Sequence, residues 1–249
     1  AIPGGAPVHS GVISIKQEIE LIVVLGAMDA EIAEFLSVMT ERETASWQGI
    51  AEHRGLIDGR RVLVSKTGVG KAMAAMRTQH FIDKAKPTAL LFTGLAGSLK
   101  LSIRIGDTVI GRDLIQHDLE SKVLGLPRGQ IPYTDIRFFQ PDPALLARAS
   151  QYQPPEGKVH LGRICTGDQF ITHREMSSHA YLHEELAGDA VEMEGAAVAL
   201  VCSLNQVPWL VVRTISDMAD EDAVSNFEEV LPRASHNSLA LVRHMLAGL

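Results

Sequence analysis

Residues 20–39 read ELIVVLGAMDAEIAEFLSVM, and this stretch decides the fold class of the chain. After Glu20, residues 21–26 form a continuous apolar run that ends in Gly26, which is typical of a strand buried on both faces. From residue 29 onward the apolar side chains recur at helical spacing, so a helix is expected over 29–39. A buried strand followed by an amphipathic helix is the repeating unit of α/β proteins.

The same alternation of strands and helices continues to the end of the chain. Further strands are predicted over 47–56, 61–65, 89–93, 107–115, 160–166, 189–192 and 208–216. Further helices are predicted over 71–86, 174–186, 194–204 and 227–249, and residues 127–143 are predicted to be rich in loops. We therefore expect an α/β fold with a mixed, mostly parallel central sheet flanked by helices on both faces.

The domain organisation is expected to be simple. No linker or internal repeat interrupts the pattern, so residues 19–249 are expected to form one domain. Residues 1–18 are expected to be a poorly ordered tail, because residues 1–15 are rich in Gly and Pro and lack the features of an intact signal peptide.

Composition and charge restrict the partners of the chain. Its 249 residues are 46% apolar and 21% charged, ordinary values for a globular protein, and the net charge is −7. Without a basic excess to neutralise phosphates, no nucleic-acid partner is expected. No run of about 18 apolar residues is present, so no membrane span is expected.

The two cysteines bear on the compartment. Cys165 and Cys202 lie in apolar runs and are interpreted as core residues, with a single disulfide as the alternative. So few cysteines favour a reducing compartment, the cytoplasm. A periplasmic or exported form is the alternative that the unusual N-terminal residues leave open.

Three carboxylates are predicted to meet at one edge of the sheet. Glu31 follows the first strand, Glu194 follows the strand ending at residue 192, and Asp217 follows the last strand. Ligands of open α/β sheets bind beyond the carboxyl ends of the strands. A helix N-terminus alone would explain any one of these acidic residues, but three of them at three strand ends indicate a functional site.

Six segments occur along the chain in this order: GAMDAE at 26–31, TGVGK at 67–71, TGLAG at 93–97, TGDQF at 166–170, VEMEG at 191–195 and VRTISD at 212–217. Together they resemble the methylthioadenosine/S-adenosylhomocysteine nucleosidases, a family within the nucleoside phosphorylase superfamily. VEMEG and RTISD are the most specific, and the resemblance extends from about residue 19 to the C-terminus. It implies the three-layer sandwich of that superfamily and hydrolysis of an N-glycosidic bond that releases adenine, without a metal or a cofactor.

The resemblance also implies catalytic roles. Asp217 matches the general acid that protonates N7 of adenine, and Ser216 matches the residue that orients it. A carboxyl group that donates a proton near neutral pH needs a raised pKa, so Asp217 is expected to be buried. Glu31 matches the residue that holds the attacking water, and Arg213 is similar to a second contact to that water or to a glutamate.

The residues that resemble substrate-binding positions surround the nucleoside. Glu194 matches the acceptor for the ribose 2′- and 3′-hydroxyls, and Met193 matches the residue packed on the sugar. Phe170 is similar to the ring that stacks on adenine, and the backbone of Ile171 would read the edge of the base. The other residues expected to line this pocket are Met28, Val69, Gly97 and Glu192.

Water, rather than phosphate, is the expected nucleophile. A phosphorylase needs a cation such as Arg to hold phosphate. Residues 26–40 contain Asp29 and Glu31 but no Arg or Lys, so this loop would repel phosphate. The family often has a Ser or Thr hydroxyl where this chain has Leu95, so one contact to the water is expected to be missing or supplied elsewhere.

A homodimer is implied by the resemblance, because in the family a partner subunit completes the pocket for the 5′-thio group. The matching segment is 117–132, and the residues expected to contribute are Leu124, Leu126 and Pro132. Bacterial relatives tend to have aromatic residues where this chain has Leu124 and Leu126, so we expect an apolar pocket of altered shape.

Several other polar residues of the sequence are assigned structural roles. His179 and His183 have the spacing of two metal ligands on a helix, but the glutamate of HExxH is absent, so no metal site is expected. Asp107 and Asp168, each after a Gly, are interpreted as turn residues.

Three alternative functions stay open: the same chemistry on aminodeoxyfutalosine, a nucleoside phosphorylase, and a surface ligand-binding protein on this fold.

Overall fold

The computed structural model describes residues 20–171, 177–217 and 223–248. Its strands are β1 (Ile22–Gly26), β2 (Thr40–Trp47), β3 (Ile50–Ile57), β4 (Arg60–Lys66), β5 (Ala89–Phe92), β6 (Leu95–Ser98), β7 (Thr108–Gln116), β8 (Val159–Thr166), β9 (Ala190–Glu192) and β10 (Trp209–Asp217). Its helices are α1 (Asp29–Val38), α2 (Lys71–Ala85), α3 (Pro143–Ala149), α4 (Tyr181–Glu184), α5 (Gly195–Leu204) and α6 (Ala223–Leu246).

The ten strands form one mixed sheet in the order β2-β3-β4-β1-β5-β10-β6-β9-β8-β7. Strand β1 is parallel to its neighbours β4 and β5, and β10 is parallel to β5 and β6 but antiparallel to β7. At the other end of the sheet, β3 is antiparallel to both β2 and β4. The additional pairing of β7 with β10 closes the second half of the sheet into a ring. The mixed, mostly parallel α/β sheet predicted from the sequence is confirmed, and the closure adds a feature that the sequence pattern did not indicate.

Strand β10 holds the two halves of the sheet together. Its first residues pair with β5, and its last residues pair with β6 while the middle also pairs with β7. All nine of its residues, WLVVRTISD, are buried. A polar ending on a fully buried strand therefore places Ser216 and Asp217 inside the protein.

Two layers of helices cover the two faces of the sheet. On one face α2 and α5 pack together through residues such as Ala74, Phe81 and Ala199. On the other face α1, α3 and α6 bury residues such as Phe35 and Leu145. The small apolar residues of α5 allow this close packing, which explains why the helix is apolar on nearly all sides.

Several boundaries differ from the sequence predictions. Strand β2 was not predicted, because TERETASW is polar and almost wholly exposed at the edge of the sheet. Strand β6 was not predicted either, and α3 begins at Pro143, at the end of the segment predicted to be rich in loops. The helix predicted over 174–186 is wrong in extent: after residues 172–176, which lie outside the described part, a 3₁₀ turn at Ser177–His179 precedes the short α4.

The remaining structural expectations concern the cysteines and the membrane. Cys165 and Cys202 are buried free thiols, so their interpretation as core residues is confirmed and the disulfide alternative is wrong. Within the described ranges, no helix has both the length and the apolar character needed to cross a bilayer. The predicted tail at 1–18 lies outside the described residues.

Candidate active site

A cavity of about 200 Å³ opens at the carboxyl ends of the strands. It contains eleven of the residues proposed from the sequence: Met28, Glu31, Val69, Gly97, Phe170, Ile171, Glu192, Met193, Glu194, Ser216 and Asp217. The other lining residues are Ala27, Leu95, Ala96, Gln169 and Val191. The chain thus brings together residues from six separate segments of sequence.

Glu31 is held rigidly by the main chain. It lies on the first turn of α1 and is buried, and its carboxylate accepts hydrogen bonds from the N–H groups of Ala27 (2.6 Å), Met28 (3.0 Å) and Leu95 (2.9 Å). Burial raises the pKa of Glu31 above its ordinary value, against the opposing effects of Arg213 and of these hydrogen bonds.

A glycine allows this close approach to Glu31. A Cβ atom on Gly94 would collide with the carboxylate of Glu31, so the chain can pass here only without a side chain. The next residue, Leu95, turns its N–H group toward Glu31 while its side chain lines the cavity. The backbone of Leu95 thus contributes one polar contact where its side chain offers none.

Asp217 ends strand β10 and is only 3% exposed. The hydroxyl of Ser216 donates a hydrogen bond of 2.7 Å to Oδ2 of Asp217, and it also lies 3.5 Å from the carbonyl oxygen of Ala96. The burial expected for Asp217 is present in the structure. Its contact with Ser216 fixes the direction in which the carboxyl group points.

Glu192 and Arg213 form a buried ion pair beside the cavity. Oε2 of Glu192 accepts from Nε of Arg213 at 3.2 Å and from Nη2 at 2.5 Å, and the guanidinium lies 4.2 Å from the centre of the Phe92 ring. Arg213 does not appear among the described residues that line the cavity. Of the two contacts expected for Arg213, the one to a glutamate is present.

Glu192 is occupied by partners from several elements. Besides Arg213, its carboxylate accepts from the N–H groups of Glu194 and Gly195 at the start of α5 and from the hydroxyl of Thr166. A carboxylate at a helix N-terminus is stabilised by the free N–H groups and by the helix dipole. Glu192 therefore holds the start of α5 in place and leaves Glu194 to face the cavity.

Glu194 is a buried carboxyl with an altered acidity. Burial and then the neighbouring charge of Glu192 raise its pKa to about 8, although Arg213 and a hydrogen bond oppose this rise. That hydrogen bond comes from the N–H group of Gly70 to Oε1 of Glu194 at 2.8 Å. Nη2 of Arg213 lies 4.0 Å from Oε2 of Glu194. Glu194 is therefore poised between its neutral and charged forms near neutral pH.

The apolar walls complete the cavity. Phe170 is 49% exposed in the single chain, although it lines the cavity, so one of its faces is available to a flat ligand. Met193, Val69 and Ile171 add further apolar surface. Sequence reasoning missed Gln169, which the TGDQF motif already contained next to Phe170, and missed Ala27, Ala96 and Val191, whose small or apolar side chains carry no chemical signal.

The segment proposed to complete a partner's pocket does not line the cavity of its own chain. Among the described residues, Leu124, Leu126 and Pro132 are absent from the cavity lining. Leu124 is 54% exposed, Val123 is almost fully exposed, and Leu126 is half-buried. Tyr133, the residue after the segment, is also almost fully exposed. So much exposed apolar surface on one segment is unusual for a free loop.

His179 and His183, which have the spacing of two metal ligands, lie on different elements. His179 lies on the 3₁₀ turn and contacts Oε1 of Gln169 at 2.9 Å, whereas His183 lies on α4. In the part of the chain that the structure describes, no group of three or more His, Cys, Asp or Glu side chains is arranged to hold a metal ion.

The sheet, the carboxylates and the apolar walls define a nucleoside-processing enzyme of the phosphorylase superfamily, whose sequence profile matches residues 21–247. The chain is 36% identical over 231 residues to the 5′-methylthioadenosine/S-adenosylhomocysteine nucleosidase of Tolumonas auensis, covering 91% of this chain and 98% of that protein. The chain therefore belongs to the family of 5′-methylthioadenosine/S-adenosylhomocysteine nucleosidases within that superfamily.

Solved structures agree with this assignment. The nucleosidase of the same name from Colwellia psychrerythraea, determined in complex with adenine, superimposes with a TM-score of 0.87 at 33% identity, covering 93% of this chain and 96% of that one. Futalosine hydrolase of Helicobacter pylori superimposes with a TM-score of 0.85 at 32% identity, covering 93% and 99%.

Proposed function

We propose that this chain hydrolyses the N-glycosidic bond of 5′-methylthioadenosine and S-adenosylhomocysteine and releases adenine. The observation that carries the proposal is that three buried carboxyl groups, those of Glu31, Glu194 and Asp217, line one cavity together with an aromatic wall at Phe170. The activities named for the relatives support the choice of substrates.

Asp217 is the proposed general acid. As the bond between C1′ and N9 breaks, its electron pair passes to the purine, and N7 takes a proton from Asp217. Ser216 donates a hydrogen bond to one carboxyl oxygen of Asp217 and thereby directs the other toward the base. General acid catalysis of this kind contributes about 10²–10⁴-fold to the rate.

Glu31 is the proposed base. A water molecule held by its carboxylate adds to C1′ of the cationic sugar, and the proton of that water passes to Glu31. The three N–H groups that fix the carboxylate limit its movement, and its raised pKa makes it a better proton acceptor near neutral pH. The products are adenine and the free 5-thio-substituted ribose.

The cations near the site are already paired with carboxylates, which favours water over phosphate as the nucleophile. Lys66 approaches the loop after β1, but its ammonium group is paired with Asp29 at 2.5 Å. Arg213 is likewise engaged by Glu192. Adenine release should therefore be equal with and without phosphate, and mass spectrometry should find free 5-methylthioribose. Formation of a ribose 1-phosphate would instead assign the chain to the phosphorylases.

A second substrate is favoured by one comparison. Futalosine hydrolase superimposes about as well as the methylthioadenosine nucleosidases, so aminodeoxyfutalosine is a candidate for the same chemistry. Competition among methylthioadenosine, S-adenosylhomocysteine and aminodeoxyfutalosine, followed as kcat/KM for adenine release, ranks them directly. Absence of release from all three would leave the alternative of a ligand-binding protein on this fold.

The active form is proposed to be a homodimer in the cytoplasm, with residues 19–249 as one domain. The exposed apolar residues of segment 117–132 support an interface there. The two free thiols are consistent with a reducing compartment. In the dimer, Leu124, Leu126 and Pro132 of each subunit would close the 5′-thio pocket of the other.

A further inference from the structure

Helix α2 begins without a cap of its own. Its N-cap is Gly70, which has no side chain, and its first turn contains no acidic residue. The first N–H groups of a helix need acceptors from elsewhere. Here the N–H of Gly70 donates to Glu194, and the N–H of Lys71 donates to Oδ1 of Asp168 at 2.8 Å. Two carboxylates from distant parts of the sequence thus serve as the missing cap.

Asp168 is held in this position by a closed set of polar contacts. Its own N–H donates to Oδ2 of Asp118 at 2.9 Å, and Oδ1 of Asp118 accepts from Nζ of Lys71 at 2.6 Å. Nζ of Lys71 also lies 3.8 Å from Oδ2 of Asp168. Although burial opposes it, these contacts hold the pKa of Asp118 below its ordinary value, so this carboxylate stays charged. The contacts join the loop before α2, the loop after β8 and the segment after β7.

Two of the three joined segments, the loop before α2 and the loop after β8, contribute to the cavity. Asp168 directly precedes Gln169, Phe170 and Ile171, which line it. The loop before α2 supplies Val69 to the lining and the N–H of Gly70 to Glu194. A Cβ atom on Gly70 would lie only 3.2 Å from Oδ1 of Asp168, so glycine permits the close approach of the two loops. Asp168 therefore connects two loops beside the cavity, a role beyond the turn residue that its sequence context indicates.

We propose that Asp168 is a positioning residue: by capping α2 from another loop, it fixes both the aromatic wall at Phe170 and the N–H group that orients Glu194. This inference rests on the proposed function, because Phe170 and Glu194 are its proposed contacts to adenine and ribose. It predicts that loss of the cap weakens nucleoside binding, with less effect on the chemical step, since neither Glu31 nor Asp217 contacts Asp168.

Asp142 offers a matched control. It caps α3 within its own turn, accepting from the N–H groups of Ala144 and Leu145 at 3.0 and 2.9 Å, and it does not line the cavity. Asp142→Ala and Asp168→Ala therefore remove the same kind of interaction. Asp168→Asn retains a side-chain oxygen that accepts from a helix N–H group, and Asn is among the best N-cap residues.

The experiment compares these three variants with the wild type. KM and kcat for methylthioadenosine, the Kd of adenine by calorimetry, and Tm are measured for each. Asp168→Ala should raise KM and the Kd of adenine about tenfold, the effect of one lost cap, and change kcat by no more than about twofold. Asp168→Asn should recover most of this binding, whereas Asp142→Ala should lower Tm and leave KM unchanged.

Two results would overturn the inference. The first is an Asp168→Ala variant that loses Tm as Asp142→Ala does but binds adenine and methylthioadenosine as the wild type does. The second is unchanged amide hydrogen exchange of residues 67–71 and 167–171 in Asp168→Ala without ligand, a readout that does not depend on activity. A wild type that neither binds adenine nor releases it would refute the proposed function separately.

Discussion

The raised pKa of Glu194 makes nucleoside binding dependent on pH in a way that can be calculated. With a pKa of about 8 in the empty site, about a tenth of Glu194 is ionised at pH 7 and about nine tenths at pH 9. The ribose hydroxyls are proposed to donate to the charged carboxylate, so binding favours the ionised form and releases a proton. Affinity should therefore rise about tenfold from pH 7 to pH 9 and change little above that.

The assay separates this effect from catalysis. A carbocyclic adenosine, whose base cannot be released by hydrolysis, is titrated by calorimetry between pH 6 and pH 9, with adenine as the ligand that lacks the sugar. The Kd of the carbocyclic nucleoside should fall about tenfold between pH 7 and pH 9, and the Kd of adenine should stay constant.

Variants identify the titrating group. Glu194→Gln should bind the carbocyclic nucleoside weakly and without pH dependence, because an amide does not ionise. Glu156→Gln is the control, since the side chain of Glu156 is 79% exposed and does not line the cavity. An equal pH dependence for adenine, or its persistence in Glu194→Gln, would refute the assignment of this ionisation to Glu194.

Three further predictions address the acid, the dimer and the buried ion pair. Asp217→Asn should lower kcat about 10²–10⁴-fold with Tm preserved, because an amide has no carboxyl proton to donate; more than a tenth of wild-type activity would exclude Asp217 as the acid. Leu126→Asp should raise KM for methylthioadenosine more than for adenosine, and equal losses for the two nucleosides would exclude this loop from the pocket. In the wild type, dilution below the dimer Kd should abolish activity. Arg213→Met should cost about 3–5 kcal/mol of stability in urea unfolding by leaving Glu192 buried without its cation; a loss as small as that of an exposed ion pair would contradict the burial of this pair.

The parts of the structure that could be predicted from sequence are those with a strong local signal. Strands β1, β5 and β10 are continuous apolar runs, and burial is the direct consequence of that composition. The acidic residues at the strand ends were found by the same reasoning, because the edge of the sheet to which they belong follows from strand direction alone.

The parts that could not be predicted depend on tertiary contacts. Strand β2 is stabilised by pairing with β3, not by its own composition, and its polar sequence gives no strand signal. The role of Asp168 depends on the approach of two loops separated by about a hundred residues. Arg213 lies on β10 three positions before Ser216, and only the fold shows that its guanidinium turns toward Glu192.

Closure of the sheet through β7 and β10 has a consequence for solubility. It covers β7, so within the described residues β2 is the strand that presents an unpaired side to other molecules. Glu41, Arg42 and Glu43 occupy this strand beside an irregularity in its register, and Glu41 has a positive φ of 51°. Charges and a distorted backbone oppose the addition of strands from other copies of the chain. The polar character that hid β2 from sequence analysis thus protects the protein against edge-to-edge aggregation.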